Sequence, residues 1–324
     1  MTKTGLTALI LSASAICSAG LIQGQDWPAN LKIEGRVAFT EGPAWHAESE
    51  SVFFTDIENS RIMRRMKDGS FQVFRQPSGK ANGLAFDGKG RLHACEGGDK
   101  QVTRTELDGT ITVLANRFNG GRFNSPNDLC FAPDGSIYFT DPRYGDRTGM
   151  EILDDEGTPV EGVYRISPDG EITQVIAHEV DRPNGVAVSS DGQRLYVADN
   201  VNSGPNAVGG NRKLWRFDLK SDGSADSESR KLLFDWGTDR GPDGICIGPD
   251  GNIYATAGFN FPNLPAETAD EHKAGVYVID PESGDLVSFH AVPEDMITNC
   301  TFGGTDGKTL YITAGHKLWS LRVE

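Results

Sequence analysis

Helical periodicity is missing from this chain. No segment of useful length repeats apolar residues every three or four positions, so strands must build the fold. Beyond the first 25 residues no apolar run is long enough to span a bilayer. The five cysteines form no CxxC pair, which removes zinc-ribbon and thioredoxin-like readings. The six histidines show no HExxH spacing, and no GxSxG elbow is present, which argues against a zincin and a serine-esterase triad. Positive charge is also short: 31 Lys and Arg face 46 Asp and Glu, a net charge of −15. That excludes nucleic acid as a partner, because phosphate binding needs a basic face. It suits a soluble protein with acidic or neutral small-molecule partners.

The opening "MTKTGLTALILSASAICSAGLIQGQ" carries one cation, Lys3, then an apolar run from Leu6 to about Ala19. It reads as a signal peptide over residues 1–24, with Ser18 to Gly20 and Gly24 both open as cleavage points. Ile16, before Cys17, is too large for a lipoprotein signal. The expectation is a periplasmic or secreted protein, with no membrane attachment once mature and one domain over residues 25–324. Of its cysteines, Cys95, Cys130, Cys246 and Cys300, the middle two sit in apolar strands and read as buried free thiols.

What the sequence does contain is one unit written six times. "NGLAFDGKGRLHACEGG" from Asn82, "NDLCFAPDGSIYFTDP" from Asn127, "NGVAVSSDGQRLYVADN" from Asn184 and "DGICIGPDGNIYATAG" from Asp243 are close copies. "EGPAWHAESESVFFTD" from Glu41 and "NCTFGGTDGKTLYITAG" from Asn299 are looser ones. They recur about every 40–60 residues, the spacing of propeller blades. Each is a polar residue, an apolar strand, a turn usually built on Asp-Gly, and a second strand. Third strands follow, as in "GVYRISPDG", and fourth strands, as in "EITQVIA" and "RKLLFDW". This predicts an all-β, six-bladed β-propeller with four-stranded blades. The last unit lacks a fourth strand, and "LKIEGRVAF" (Leu31–Phe39) is predicted to supply it and close the ring.

In a propeller the first strand of each blade lines the central channel, so the residue before it lies at the channel mouth. Glu41, Asn82, Asn127, Asn184, Asp243 and the Thr298–Asn299 pair should therefore converge. Two carboxylates and several amide oxygens make a hard-oxygen site for a divalent cation, with Ca²⁺ preferred, then Mg²⁺, Mn²⁺ or Zn²⁺. The plainer reading is that Asn, Asp and Gly are simply turn formers. Six polar residues at one position, none of them Lys or Arg, favour the site.

The chain also resembles the senescence-marker-protein/gluconolactonase/luciferin-regenerating enzyme-like family of six-bladed propellers. The resemblance runs from about Arg36 to Leu321 and rests on "EGPAW", "NSPNDL", "YFTDPRYG", "RPNGVAVSSDG", "PDGICIGPDGNIY" and "TNCTFGGTDGKTLYIT". It implies a divalent ion held by Glu41, Asn127, Asn184 and Asp243, with Asn82 turned to substrate instead. It further implies hydrolysis of a sugar lactone such as gluconolactone, the cation polarising the carbonyl and Asp243 acting as acid/base. Water activated by the ion itself is the alternative nucleophile. Asn299, Glu96 and Asp199 join Asn82 as substrate-contact candidates. Asp199, Asp141 and Asp56 each end a second strand, where turn-capping is the competing role. Relatives often carry "CEH" where this chain has Glu96-Gly97, so pocket shape is open there.

"GGTDGKT" (Gly303–Thr309) mimics a phosphate loop but lies between two strands and reads as a hairpin. His316 reads as a surface or core histidine. Phe259 to Lys273 and Asp146 to Glu161 read as rim loops that set specificity. Two rivals remain: a hydrolase using the same cation on other esters, such as organophosphates, and a non-catalytic propeller with a structural ion.

Overall fold

The computed structural model describes residues 27–144, 148–204 and 206–324. The expected signal peptide lies outside the described residues, as does the start of the insert from Asp146. Among the described residues the structure is all β, and no helix is long and apolar enough to cross a membrane.

Six four-stranded antiparallel sheets follow one another along the chain. The inner strands are Thr40–His46, Ala81–Phe86, Leu129–Phe131, Pro183–Val188, Ile245–Ile247 and Ile297–Gly303. The last sheet is completed by Lys32–Arg36, which pairs antiparallel with Lys317–Arg322. The ring therefore closes with the N-terminal strand as the outermost member of blade 6, as the missing fourth strand predicted. Gly303–Thr309 is a hairpin between the first two strands of that blade. His316 sits at the closure seam, where its Nδ1 meets the Ala38 carbonyl.

Blade stacking explains why the second strands are apolar without alternation. Consecutive side chains of a strand point to opposite faces, and here a neighbouring blade covers each face. Phe53 packs toward blade 2 with Ala81 and Leu84, while Phe54 packs toward blade 6 with Tyr311 and Leu318. The core is thus distributed between blades. Leu214 and Trp236 meet Ile253 and Tyr277 between blades 4 and 5, and Val276 and Val278 meet Leu310 and Ile312 between blades 5 and 6.

Polar seams join the blades near the channel. Backbone N–H groups of Gly83, Gly185 and Gly244 donate to the carbonyls of Asn127, Asp243 and Thr298 in the next blade, at 2.7, 2.8 and 2.6 Å. Second-strand threonines add hydroxyl links: Thr55 to Asn82 O at 3.1 Å, Thr140 to Asn184 O at 2.6 Å and Thr256 to Thr298 O at 3.0 Å. All three hydroxyls come from the same place in the repeat, the "FTD" or "ATA" at the end of the second strand. Thr256→Val keeps the shape but strips the hydroxyl from the buried carbonyls of Gly244 and Thr298. It is expected to lower unfolding free energy by about 1–3 kcal/mol, measured by urea denaturation. An unchanged midpoint would mean that the backbone bonds alone hold the seam.

Candidate functional site

The regular ladder of each inner strand breaks where its polar residue stands. Pairing shifts register between Glu41 and Ala44, between Ala81 and Leu84, between Pro183 and Val186, and between Ile297 and Asn299. In blades 3 and 5 regular pairing starts only at Leu129 and Ile245. A bulge re-aims a side chain that a regular strand would hold flat. The glycine after the polar residue serves the neighbour's close approach. A Cβ on Gly42, whose φ is +42°, would lie 2.0 Å from the Asn82 carbonyl oxygen. One on Gly244 would lie 2.1 Å from the Asn299 side chain. These Glu-Gly and Asp-Gly pairs are packing devices between blades, not turns.

Glu41, Asn127, Asn184 and Asp243 are all buried at this mouth. Glu41 Oε2 accepts from the Gly42 N–H at 2.9 Å. Burial first, and then the Asp243 charge, hold the Glu41 carboxyl well above the usual carboxylate range. Asp243 is pushed up to about 6, with burial opposed mainly by the Arg240 charge. Arg240 Nη2 donates to Asp243 Oδ2 at 2.6 Å, and its Nη1 lies 3.5 Å from Glu267 Oε1. The guanidinium also stacks over the Phe259 ring at 5.0 Å. Loop Phe259–Lys273 is thereby tied through Glu267 and Arg240 to Asp243. Asn184 Nδ2 donates to the Tyr144 hydroxyl at 2.6 Å, and that ring lies 5.2 Å from the Arg182 guanidinium.

Below this group lies a second tier. Asn299 Nδ2 donates to Asp128 Oδ2 at 3.2 Å, and Asn299 Oδ1 accepts from the Cys300 N–H at 2.7 Å. Burial pushes the Asp128 carboxyl up to about 7. Asn299 is thus in the channel but committed to Asp128. Beneath them a cavity of about 380 Å³ is lined from every blade, by Ala44, Leu84, Leu129, Val186, Ile245 and Cys300 among others.

Asn82 stands apart. Its Oδ1 is buried and has no hydrogen-bond partner among the described residues. Glu96 and Asp199 are not brought to the mouth. Glu96 Oε1 takes the Thr103 hydroxyl at 2.6 Å and pairs with Arg75, and Oε2 takes Gln101 at 2.7 Å. Asp199 Oδ1 accepts from the Arg182 N–H at 3.0 Å, and Oδ2 faces the Asp181 N–H and the Trp215 Nε1–H at 3.3 and 3.2 Å. Asp141 and Asp56 cap the chain in the same way, at Asn124–Ser125 and Ala38–Phe39. A carboxylate at the end of a second strand holds the approach to its own blade, which is the turn-capping role.

The residues missed at the sequence level are Arg240, Tyr144, Asp128 and Glu267. Asp128 is next to a marked residue in "NDL" and Arg240 three positions from one in "DRGPDG", but nothing in the repeat says which neighbour points inward.

The donor set fits a hard divalent cation. Among the described residues no three Asp, Glu, His or Cys side chains gather as a metal cluster, so two carboxylates with neutral amides are what the mouth offers. Two acidic groups buried side by side, both raised by that burial, are short of a positive charge that Arg240 only partly supplies.

Comparison with known proteins agrees with this architecture. Residues 39–316 match the SMP-30/Gluconolactonase/LRE-like region. A gluconolactonase from Zymomonas mobilis is 30% identical over 311 residues, covering 90% of this chain and 80% of that protein. The solved structure of a gluconolactonase from Xanthomonas campestris superposes with a TM-score of 0.73 at 31% identity, covering 91% of this chain and 89% of that one. A calcium-binding regucalcin from Agrobacterium tumefaciens shares the fold, with a TM-score of 0.70 at 18% identity over 92% of this chain and 95% of that one. The chain belongs to the SMP-30/gluconolactonase/LRE-like family.

Proposed function

We propose that this protein is a lactone hydrolase acting on a sugar lactone of the gluconolactone type, with a divalent cation at the channel mouth. The observation that carries the reading is the buried Glu41–Asp243 pair, with Asn184 hydrogen-bonded to Asp243 and Asn127 buried at the same place in the repeat. Those four side chains would hold the ion, Ca²⁺ by the preference of carboxylate and amide oxygens. When bound, a divalent cation polarises a carbonyl and stabilises the negative charge that builds on its oxygen.

The remaining chemistry belongs to the chain. Asp243, near 6, is mostly ionised at neutral pH and can take a proton from water. Arg240 fixes its Oδ2, and Asn184 also hydrogen-bonds the carboxylate. Asn82 Oδ1 accepts a substrate hydroxyl, a contact that a polyhydroxy ring supplies. Tyr144 is held between blades 3 and 4 by Asn184 and Arg182. The described parts of the loops after the second strands of blades 3, 4 and 5 lie at this end of the ring.

The test is acid release from D-glucono-1,5-lactone in a pH-stat, corrected for spontaneous hydrolysis, with Ca²⁺, Mg²⁺, Mn²⁺ or Zn²⁺ added. Turnover above background is expected. Its absence with every ion, in folded protein, sinks this substrate and moves the search to other esters. The capping role of Asp199 gives a companion prediction. Asp199→Asn should lower unfolding free energy by about 1–3 kcal/mol by facing a backbone donor with an amide N–H. It should leave KM for the lactone unchanged. A raised KM with unchanged stability would restore Asp199 to the substrate.

A further inference from the structure

The lower channel holds chemistry that lactone hydrolysis does not use. Cys246 lies on the inner strand of blade 5 and Cys300 on that of blade 6, and their Sγ atoms are 3.5 Å apart. Both line the cavity under the Asp128–Asn299 tier. Among the described residues no other pair of sulfurs is in contact. Cys95 is buried between blades 2 and 3, and Cys130 lines the same cavity without touching either thiol. Cys130 and Cys246 are half-buried and face the channel, where the apolar strands around them had suggested full burial.

We propose that Cys246 and Cys300 form an oxidisable dithiol that a small disulfide converts into an inter-blade bridge at the lower end of the channel. A disulfide needs its sulfurs about 2.05 Å apart. The remaining gap is one that rotation of two CH₂–S groups can cover. The two thiols differ in reach, which orders the steps. Cys246 is the accessible one, while Cys300 is buried and its thiol donates toward the Tyr254 carbonyl at 3.5 Å. The Cys246 sulfur attacks a disulfide RSSR, forming a mixed disulfide and releasing one RSH. The Cys300 sulfur then attacks Cys246 Sγ and expels a second RSH. The two thiol protons leave on the two RSH molecules, and the two electrons reduce one RSSR.

The bridge closes a loop of 54 residues. It also anchors the segment whose backbone orients Asn299, and through Asn299 the buried Asp128. Oxidation would therefore tie blades 5 and 6 together beneath the mouth without touching the residues at the mouth itself.

The probe is hydroxyethyl disulfide, small enough for a cavity of about 380 Å³. Folded wild-type protein is incubated with it, quenched with iodoacetamide and mapped by non-reducing peptide mass spectrometry. The expected result is loss of two free thiols, a peptide pair joined through Cys246 and Cys300, and reversal by dithiothreitol. The melting temperature should rise by about 5 °C. Cys130→Ser should behave as wild type, and Cys246→Ser should lose the bridge. The proposal is overturned if both cysteines are still alkylated after oxidation. It is equally overturned if the adduct stays on Cys246 with Cys300 free, or if the bridge forms to Cys130. Wild-type mapping alone decides it, whatever the variants do to folding.

Discussion

Replacing Asp243 with Asn is expected to lower kcat for lactone hydrolysis by about 10²–10⁴-fold, the usual contribution of a positioned proton acceptor. The protein should stay folded. An Asn at this position still presents an oxygen to Arg240, whose other nitrogen keeps Glu267 within 3.5 Å. The guanidinium is therefore not left bare, as it would be in Asp243→Ala, where a broken buried pair typically costs about 3–5 kcal/mol. The pH profile separates this role from simple binding. Burial raises the Asp243 carboxyl to about 6 and Arg240 restrains it. A bound ion favours the charged form and draws the carboxyl below that value, so wild-type activity should decline on the acid side below about 6. In Asp243→Asn the residual activity should lose that limb. A variant that changes KM alone and keeps the acid limb would give Asp243 a positioning role and hand the proton to another group. Asp128, raised to about 7 and one tier below, is the next to examine.

Much of this site is legible in the amino-acid sequence, and the reason is geometric. A propeller makes one position of its repeat special, the residue ahead of the channel strand. Glu41, Asn82, Asn127, Asn184 and Asp243 were marked as candidates because each stands there. The closure by Lys32–Arg36 was legible because one unit lacked a strand. What stayed hidden depends on which way a side chain turns at the end of a strand. Glu96 and Asp199 end second strands just as visibly as Asp243 precedes a first one, yet their oxygens fold back onto their own blades. Arg240 is three residues from Asp243 in a stretch without periodicity, in the irregular segment that leads into the inner strand of blade 5. The threonines of the seams were in plain view in "FTD" and "ATA". Their role belongs to contacts between blades, about which a single repeat unit says nothing. The paired thiols are the same case: Cys246 and Cys300 are 54 positions apart, and adjacency of blades makes them neighbours.

The second large effect concerns the cation. Treatment with a chelator is expected to abolish turnover, and a divalent ion to restore it, with calorimetry giving one site per chain. Glu41→Gln should weaken that binding by at least about tenfold, roughly 1.4 kcal/mol, because it removes one of the two formal charges the ion would meet. Protons compete for the same oxygens. Burial and Asp243 hold Glu41 well above the ordinary carboxylate range, so without an ion it keeps its proton into less acidic solution than a free carboxylate would. The sign for stability follows from linkage. A carboxyl raised on folding contributes stability below its ordinary value, and that contribution is lost as pH rises through the raised value. The ion-free protein should therefore lose stability on going from mildly acid to neutral solution. An ion reverses the loss, because it favours the charged forms. The gain in melting temperature on adding Ca²⁺ should be larger at about pH 7.5 than at about pH 5.5, and binding should release protons to buffer. Thermal melts at both pH values, with and without chelator, read this without any substrate. Equal gains at the two pH values would place the ion away from Glu41. A gain that survives in Glu41→Gln would do the same, and the mouth would then act on its substrate through Arg240, Tyr144 and Asn82 alone.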